Sequence, residues 1–168
     1  MMTDATARLA LPLLQPGQSQ KEMFHNEALA LLDLAVQAEV EALALNTPPP
    51  APAIGQCWVV GTAPMGEWRD AANHLAGWTA GGWRFVAPRP GMSVWSKASN
   101  LVARYHDTGW TIGDVAANRV VIGGNQVVGA QGGAITSPAG GAVVDAEARA
   151  AITAILARLR THGLIAPV

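Results

Sequence analysis

LAGWTAGGWRFVAPRPGMSVWSKASNLVARYHDTGWTI, residues 75–112, is the stretch whose reading decides the fold. Short runs rich in Trp, Val and other strand formers recur through it, separated by Gly, Pro, Asn or Asp turns about every 8 to 12 residues. The same pattern begins upstream at CWVV, residues 57–60, and closes at Gly113. It predicts a β-meander or small sandwich. All six Trp, the Tyr and Phe85 lie between Trp58 and Trp110, so this segment holds nearly all the aromatic mass of the chain. Trp78 and Trp83 flank Thr79–Gly82, and Tyr105 and Trp110 flank His106–Gly109. Each spacing predicts a hairpin in which two aromatic rings meet across the strands, a pair worth about 0.2–1 kcal/mol.

Upstream, Pro16 and Gly17 end an extended lead-in, and Gln18-Ser19-Gln20 precedes KEMFHNEALALLDLAVQAEVEALAL, a run of helix formers that stops before Thr47 and Pro48. A helix near 20–45 is predicted. Leu29, Leu32, Val36, Val40 and Leu43 would form one apolar stripe. Phe24, Ala28, Leu31, Ala35, Ala38 and Ala42 would form a second beside it, so the helix is expected to be covered on two sides. TPPPAPA, residues 47–53, reads as a stiff polyproline connector between this helix and the Trp-rich segment.

Downstream, Val120–Ile122 and Gln126–Gly129 are short Val/Ile runs around Gly123-Gly124-Asn125, a second hairpin signal in a glycine-rich region. The end has clear helix grammar: Asp145 as N-cap, Glu147 in the first turn, Arg158 and Arg160 in the last, and Gly163 just beyond. A helix near 146–162 is predicted. Its positions Ala148, Ile152, Ile155 and Leu159 are spaced 4, 3 and 4, the coiled-coil period, and Ile at the a and d positions leans toward three or more strands. Two heptads are too short to stand alone. The organisation expected is α+β: an N-terminal attachment and oligomerisation helix (1–46), a Pro-rich linker (47–53), a Trp-rich antiparallel β-domain (54–113), a Gly-rich hairpin region (114–144) and a C-terminal trimerisation helix (145–168), in an elongated homo-oligomer.

Composition narrows the function classes. Of 168 residues, 50% are hydrophobic and 14% charged, against about 25% charged in an ordinary soluble domain, so much of the surface is expected to be covered. The net charge of −1 offers no basic field for phosphate backbones, so no nucleic-acid partner is expected. The lone cysteine, Cys57, sits in a buried-looking strand and reads as a core residue. The first twenty residues lack a basic n-region and the longest uncharged run, Val120–Val144, is glycine-rich. Neither a secretory signal nor membrane insertion is expected. No nucleophile elbow, phosphate loop, zinc helix or EF-hand loop occurs, and the four His share no ligand spacing, so no catalytic residue, metal or cofactor is predicted. His106-Asp107 reads as turn chemistry. A small carbohydrate-active enzyme would require two carboxylates meeting in one cleft of the β-domain, which offers only Glu67, Asp70 and Asp107. The Trp excess suits either hairpin packing or stacking on sugar rings, with Trp78, Trp83, Tyr105 and Trp110 as the carbohydrate-contact candidates.

Two motifs carry a resemblance. P-G-Q-x-Q-K-x-x-x-H-N-E-A from Pro16 to Ala28 and G-G-W-R-F-x-x-P-R-P-G from Gly81 to Gly91 resemble a phage-associated domain at the base of tail-fibre and head-spike proteins of phages, prophages and gene transfer agents. The resemblance covers about residues 9–110, and the closing segment from Val127 onward also looks like the end of such proteins. Gln131 stands where that closing pattern commonly has Arg. The resemblance implies a structural protein of a phage-like particle, a trimeric tail fibre for host attachment. It would be made in the bacterial cytoplasm and released with the particle. Its partners would be its own copies, other particle proteins and a cell-surface polysaccharide. The alternative is a head-spike component binding capsular polysaccharide.

Overall fold

The computed structural model describes residues 5–15, 17, 21–141 and 145–167, which fall into two compact units, Met1–Asp114 and Val115–Val168. Pro16 and the Gln18-Ser19-Gln20 start signal lie outside the described residues. The architecture is α+β with mainly antiparallel sheets.

The first unit opens with a lead-in that doubles back through the bridge between Ala5 and Pro12, then enters helix α1, Lys21–Ala35. The predicted helix near 20–45 is corrected here, because the chain leaves the helix ten residues earlier than its helix-forming composition suggests. Gln37 takes a left-handed φ of 45°, and Glu39–Val40 becomes strand β1. The terminating device comes from far away in sequence. The Arg8 guanidinium donates to the carbonyls of Asp33, Leu34, Val36 and Gln37, supplying a cation and hydrogen-bond donors to the helix C-terminus.

Strand β1 lies parallel to β5 (Ser93–Ser96), which pairs with β6 (Leu101–His106) and through it with β7 (Gly109–Ile112). A second sheet holds β2 (Cys57–Val59), β3 (Leu75–Thr79) and β4 (Gly82–Val86), all antiparallel. The backbone after β1 also runs beside β2, where Glu41 N–H donates to the Cys57 carbonyl at 2.8 Å and Leu45 bridges Val60. Residues 47–53 are thus no separator between domains: they loop between two segments of one unit, and 1–46, 47–53 and 54–113 fold together.

CWVV is apolar at every position because β2 is covered on both faces. Cys57, Val59 and Leu75 join Leu34, Ala38, Val40, Val94 and Ala103 in one core, while Trp58, Val60 and Ala76 join Trp68 in another. Gly77 is where α1 rests on β3: a Cβ there would run into the buried Leu34 side chain, so only glycine allows this close approach.

In the second unit, β8 (Val120–Ile122) and β9 (Asn125–Val128) form the predicted hairpin. Gly123 and Gly124 both have positive φ, 56° and 82°, as a two-residue type I′ turn demands. Helix α2 spans Ala146–Thr161. Asp145 accepts from Ala148 N–H at 2.8 Å, and Gly163 closes a Schellman turn in which Leu164 N–H donates to the Leu159 carbonyl at 2.9 Å. An extended strap runs beside the helix. Gly132 pairs with the backbone around Ile165, and the Arg160 and Arg149 guanidiniums donate to the carbonyls of Ile135 and Gly140.

Candidate functional site

The two predicted aromatic hairpins form as expected, since Trp78 faces Trp83 and Tyr105 faces Trp110 in register. Their rings meet edge to face at 5.0 and 5.4 Å between centroids. The two pairs lie in different sheets, so the four rings make no continuous ladder. Trp83 also contacts Trp68 and Trp58 at 5.1 and 5.6 Å, closing a cluster of four tryptophans. Trp68 is wholly buried at its centre. Trp110 packs on the main core and donates its indole N–H to the Asn73 carbonyl at 2.8 Å.

Of the four candidates, Trp78 lines a large cavity. That cavity, about 750 Å³, opens between the lead-in (Ala5, Leu13), α1 (Met23, Glu27, Ala30) and the β3–β4 turn. Most of its polar groups are already engaged. Asn26 exchanges two hydrogen bonds with the Leu14 backbone, and Thr79 accepts from Gly81 N–H and donates to the Gly82 carbonyl. The Arg84 Nε donates to both Glu27 oxygens at 2.6 and 2.9 Å, a half-exposed ion pair at the cavity wall. A ring entering here would meet one indole and one ion pair.

A second hollow of about 720 Å³ is lined by Glu67, Arg69, Asp70, His74 and Phe85 among others. Two of the carboxylates singled out in the sequence therefore share one hollow, while Asp107 sits in the β6–β7 turn. Both Glu67 and Asp70 are exposed to solvent. Among the described residues, no three His, Cys, Asp or Glu gather as a metal site, and no helix is long and apolar enough to cross a membrane.

The seam residues stand open in the single chain. Ala148, Ile152 and Ile155 are exposed, Ile155 at 58%, and Leu159 is half-buried. On α1 itself Asp33 and Leu34 are the buried residues and Glu27, Leu29, Ala30, Leu31 and Ala35 are half-buried, while Ala38 and Val40 of the expected stripes reach the core from beyond the end of the helix. Phe24, at 81% exposure, with Ala28, Leu32 and Val36, instead forms an outward apolar face.

Sequence reasoning missed Trp95. It stands on the solvent side of the four-stranded sheet at 43% exposure, opposite Val102 and beside Glu39. Lys97 reaches Glu41 at 2.8 Å and Glu39 at 3.7 Å, so the indole lies next to a charged strip. The alternation in Ser93-Val94-Trp95-Ser96 says that one of Val94 and Trp95 points outward, without saying which.

Cys57 is buried with its thiol toward the Gly55 carbonyl, and burial pushes its pKa from 9.0 up to about 11. Because the folded value is the higher one, the thiol's contribution to stability is intact below pH 9 and is lost as pH rises toward 11. Wild type is expected to lose about 2–3 kcal/mol more than Cys57→Ala over that interval, read by urea titration at a series of pH values. Parallel profiles for the two proteins would overturn this.

Residues 25–111 match the family described as "Protein of unknown function (DUF2793)". The chain belongs to this family. A comparison with curated proteins finds no match. The DUF2793 segment begins inside α1 and ends within β7, so it takes in the three-stranded sheet, all but the last residue of the four-stranded sheet, and all six tryptophans. The seam of α2 lies outside it.

Proposed function

We propose that this chain is a structural component of a phage-like or gene-transfer-agent particle, a homotrimeric tail fibre used for attachment to the host cell. The observation that carries the reading is the pair of outward apolar faces, Phe24-Ala28-Leu32 on α1 with Val36 just past its end, and Ala148-Ile152-Ile155 on α2, in a chain with only 14% charged residues. Apolar stripes of this kind are covered in assemblies. The likeness of the Pro16–Ala28 and Gly81–Gly91 motifs to the base domains of tail fibres and head spikes supports placement on a particle. In this reading α1 packs against copies and other particle proteins. The Trp78 cavity is the place where a cell-surface polysaccharide stacks, and three copies raise a weak affinity by avidity.

The test is imaging of purified particles with and without this gene, paired with host adsorption. Loss of a tail-borne fibre with reduced adsorption is the expected result. Loss of density at capsid vertices instead assigns the chain to a head spike, and unchanged particles overturn the reading. Trp78→Ala is expected to reduce adsorption at least tenfold at a temperature where the variant remains folded, with the melting temperature measured alongside; unchanged adsorption removes Trp78 from the contact.

A further inference from the structure

The two units differ sharply in what holds them. The first buries two apolar clusters, whereas among the described residues of Val115–Val168 only Leu156 and Ile165, at 6% and 8% exposure, are buried apolar side chains. Val120, Val121, Ile122, Val127 and Val128 are exposed on both faces of the hairpin, and Ile152 and Ile155 are exposed on the helix. A lone two-stranded hairpin is marginal in water, a 16-residue helix barely exceeds the length that holds by itself, and a unit this small needs a core or a covalent staple. The one cysteine lies in the other unit, so no disulfide supplies the staple here.

The local grammar is nevertheless complete. The I′ turn, the Asp145 cap, the Schellman turn and the two arginine-to-strap contacts each specify one conformation without adding apolar burial. Among the described residues, what the unit lacks is apolar burial beyond Leu156 and Ile165. We infer that Val115–Val168 folds only on assembly, and that the partner completing its core is a second and third copy of this chain. The seam identifies the partner: apolar side chains at 4, 3 and 4 spacing fit a helix of the same period, and Ile at a and d fits three. Copies of α2 meet that description. The hairpins, brought together by the helices, cover one another's Val and Ile faces. Folding of this unit and assembly are then one event, while Met1–Asp114 folds within each chain. The inference rests on the oligomeric part of the function proposed above and is independent of particle or host.

The experiment is hydrogen exchange with mass spectrometry on the full chain at micromolar and low nanomolar concentration, with mass measured in parallel. Amides in β8, β9 and α2 are expected to be protected in the assembled protein and to lose protection by about a hundredfold or more on dilution, while those of β3, β4 and β6 keep theirs. Ile155→Asp at micromolar concentration is expected to reproduce the diluted pattern, including in the hairpin. Ala154→Glu, off the seam, keeps the wild-type mass and protection. A monomer with protected β8, β9 and α2 would overturn the inference, as would an Ile155→Asp chain whose hairpin stays protected. Assembly-linked folding in a protein whose deletion leaves particles unchanged would remove the fibre reading and leave this inference standing.

Discussion

Trp68→Ala is expected to destabilise the Met1–Asp114 unit by about 3–5 kcal/mol, the range for deleting a large aromatic from a closed core. Trp68 has no exposed surface and touches Trp58 and Trp83 at 6.4 and 5.1 Å between ring centroids. Through Trp83 it is linked to Trp78 at the cavity wall, so its loss is also expected to loosen the β3–β4 hairpin. Its indole nitrogen has no hydrogen-bond partner among the described residues. Trp68→Phe therefore removes volume and no bond, and is expected to cost less than half as much as the alanine variant. Urea unfolding followed by circular dichroism measures both, and a cost below about 1 kcal/mol for Trp68→Ala would show that the ring is not the hub of the cluster.

Asp33→Ala is the second large effect. This carboxylate is buried, and its Oδ1 accepts from the Thr6 hydroxyl at 2.7 Å and Leu9 N–H at 2.6 Å, while Oδ2 accepts from Arg8 N–H at 3.1 Å. Removing it leaves three donors without their acceptor, a loss of about 2–4 kcal/mol after the lead-in relaxes toward water. The lead-in carries Arg8, so the same change withdraws the cation from the end of α1. Limited proteolysis is expected to cut Asp33→Ala within residues 5–15 under conditions that leave wild type intact. Asp33→Asn keeps one acceptor and should fall between the two. An Asp33→Ala chain with wild-type melting and protease resistance would contradict the role given to this side chain.

The range of each interaction decides how much of it the sequence disclosed. Hairpins and caps are local: Trp78 with Trp83, Tyr105 with Trp110, Gly123-Gly124, and Asp145 with Gly163 were all legible because each signal lies within a few residues of the structure it makes. The end of α1 was not. Val36-Gln37-Ala38-Glu39-Val40 contains no Gly or Pro and continues a helical composition, and the group that stops the helix is Arg8, supplied from the lead-in. The covered face of α1 was hidden for a related reason. Beside Leu34, it is held by Asn26, Glu27 and Asp33 through hydrogen bonds and an ion pair, contacts that a count of apolar positions does not register. The candidate site was legible in part. Cross-strand spacing located the rings, but whether a ring faces water depends on which element covers the sheet, and only the fold shows Trp68 closed, Trp78 at a cavity and Trp95 in the open.

In the proposed assembly, copies of the same chain cover the open face of α2, and copies together with other particle proteins cover that of α1. The native mass of the purified 168-residue chain at micromolar concentration tests this. A single species at three times the 17.4 kDa chain mass is expected, reduced to one chain by Ile155→Asp. A wild-type protein that runs as a 17.4 kDa monomer at that concentration would contradict it.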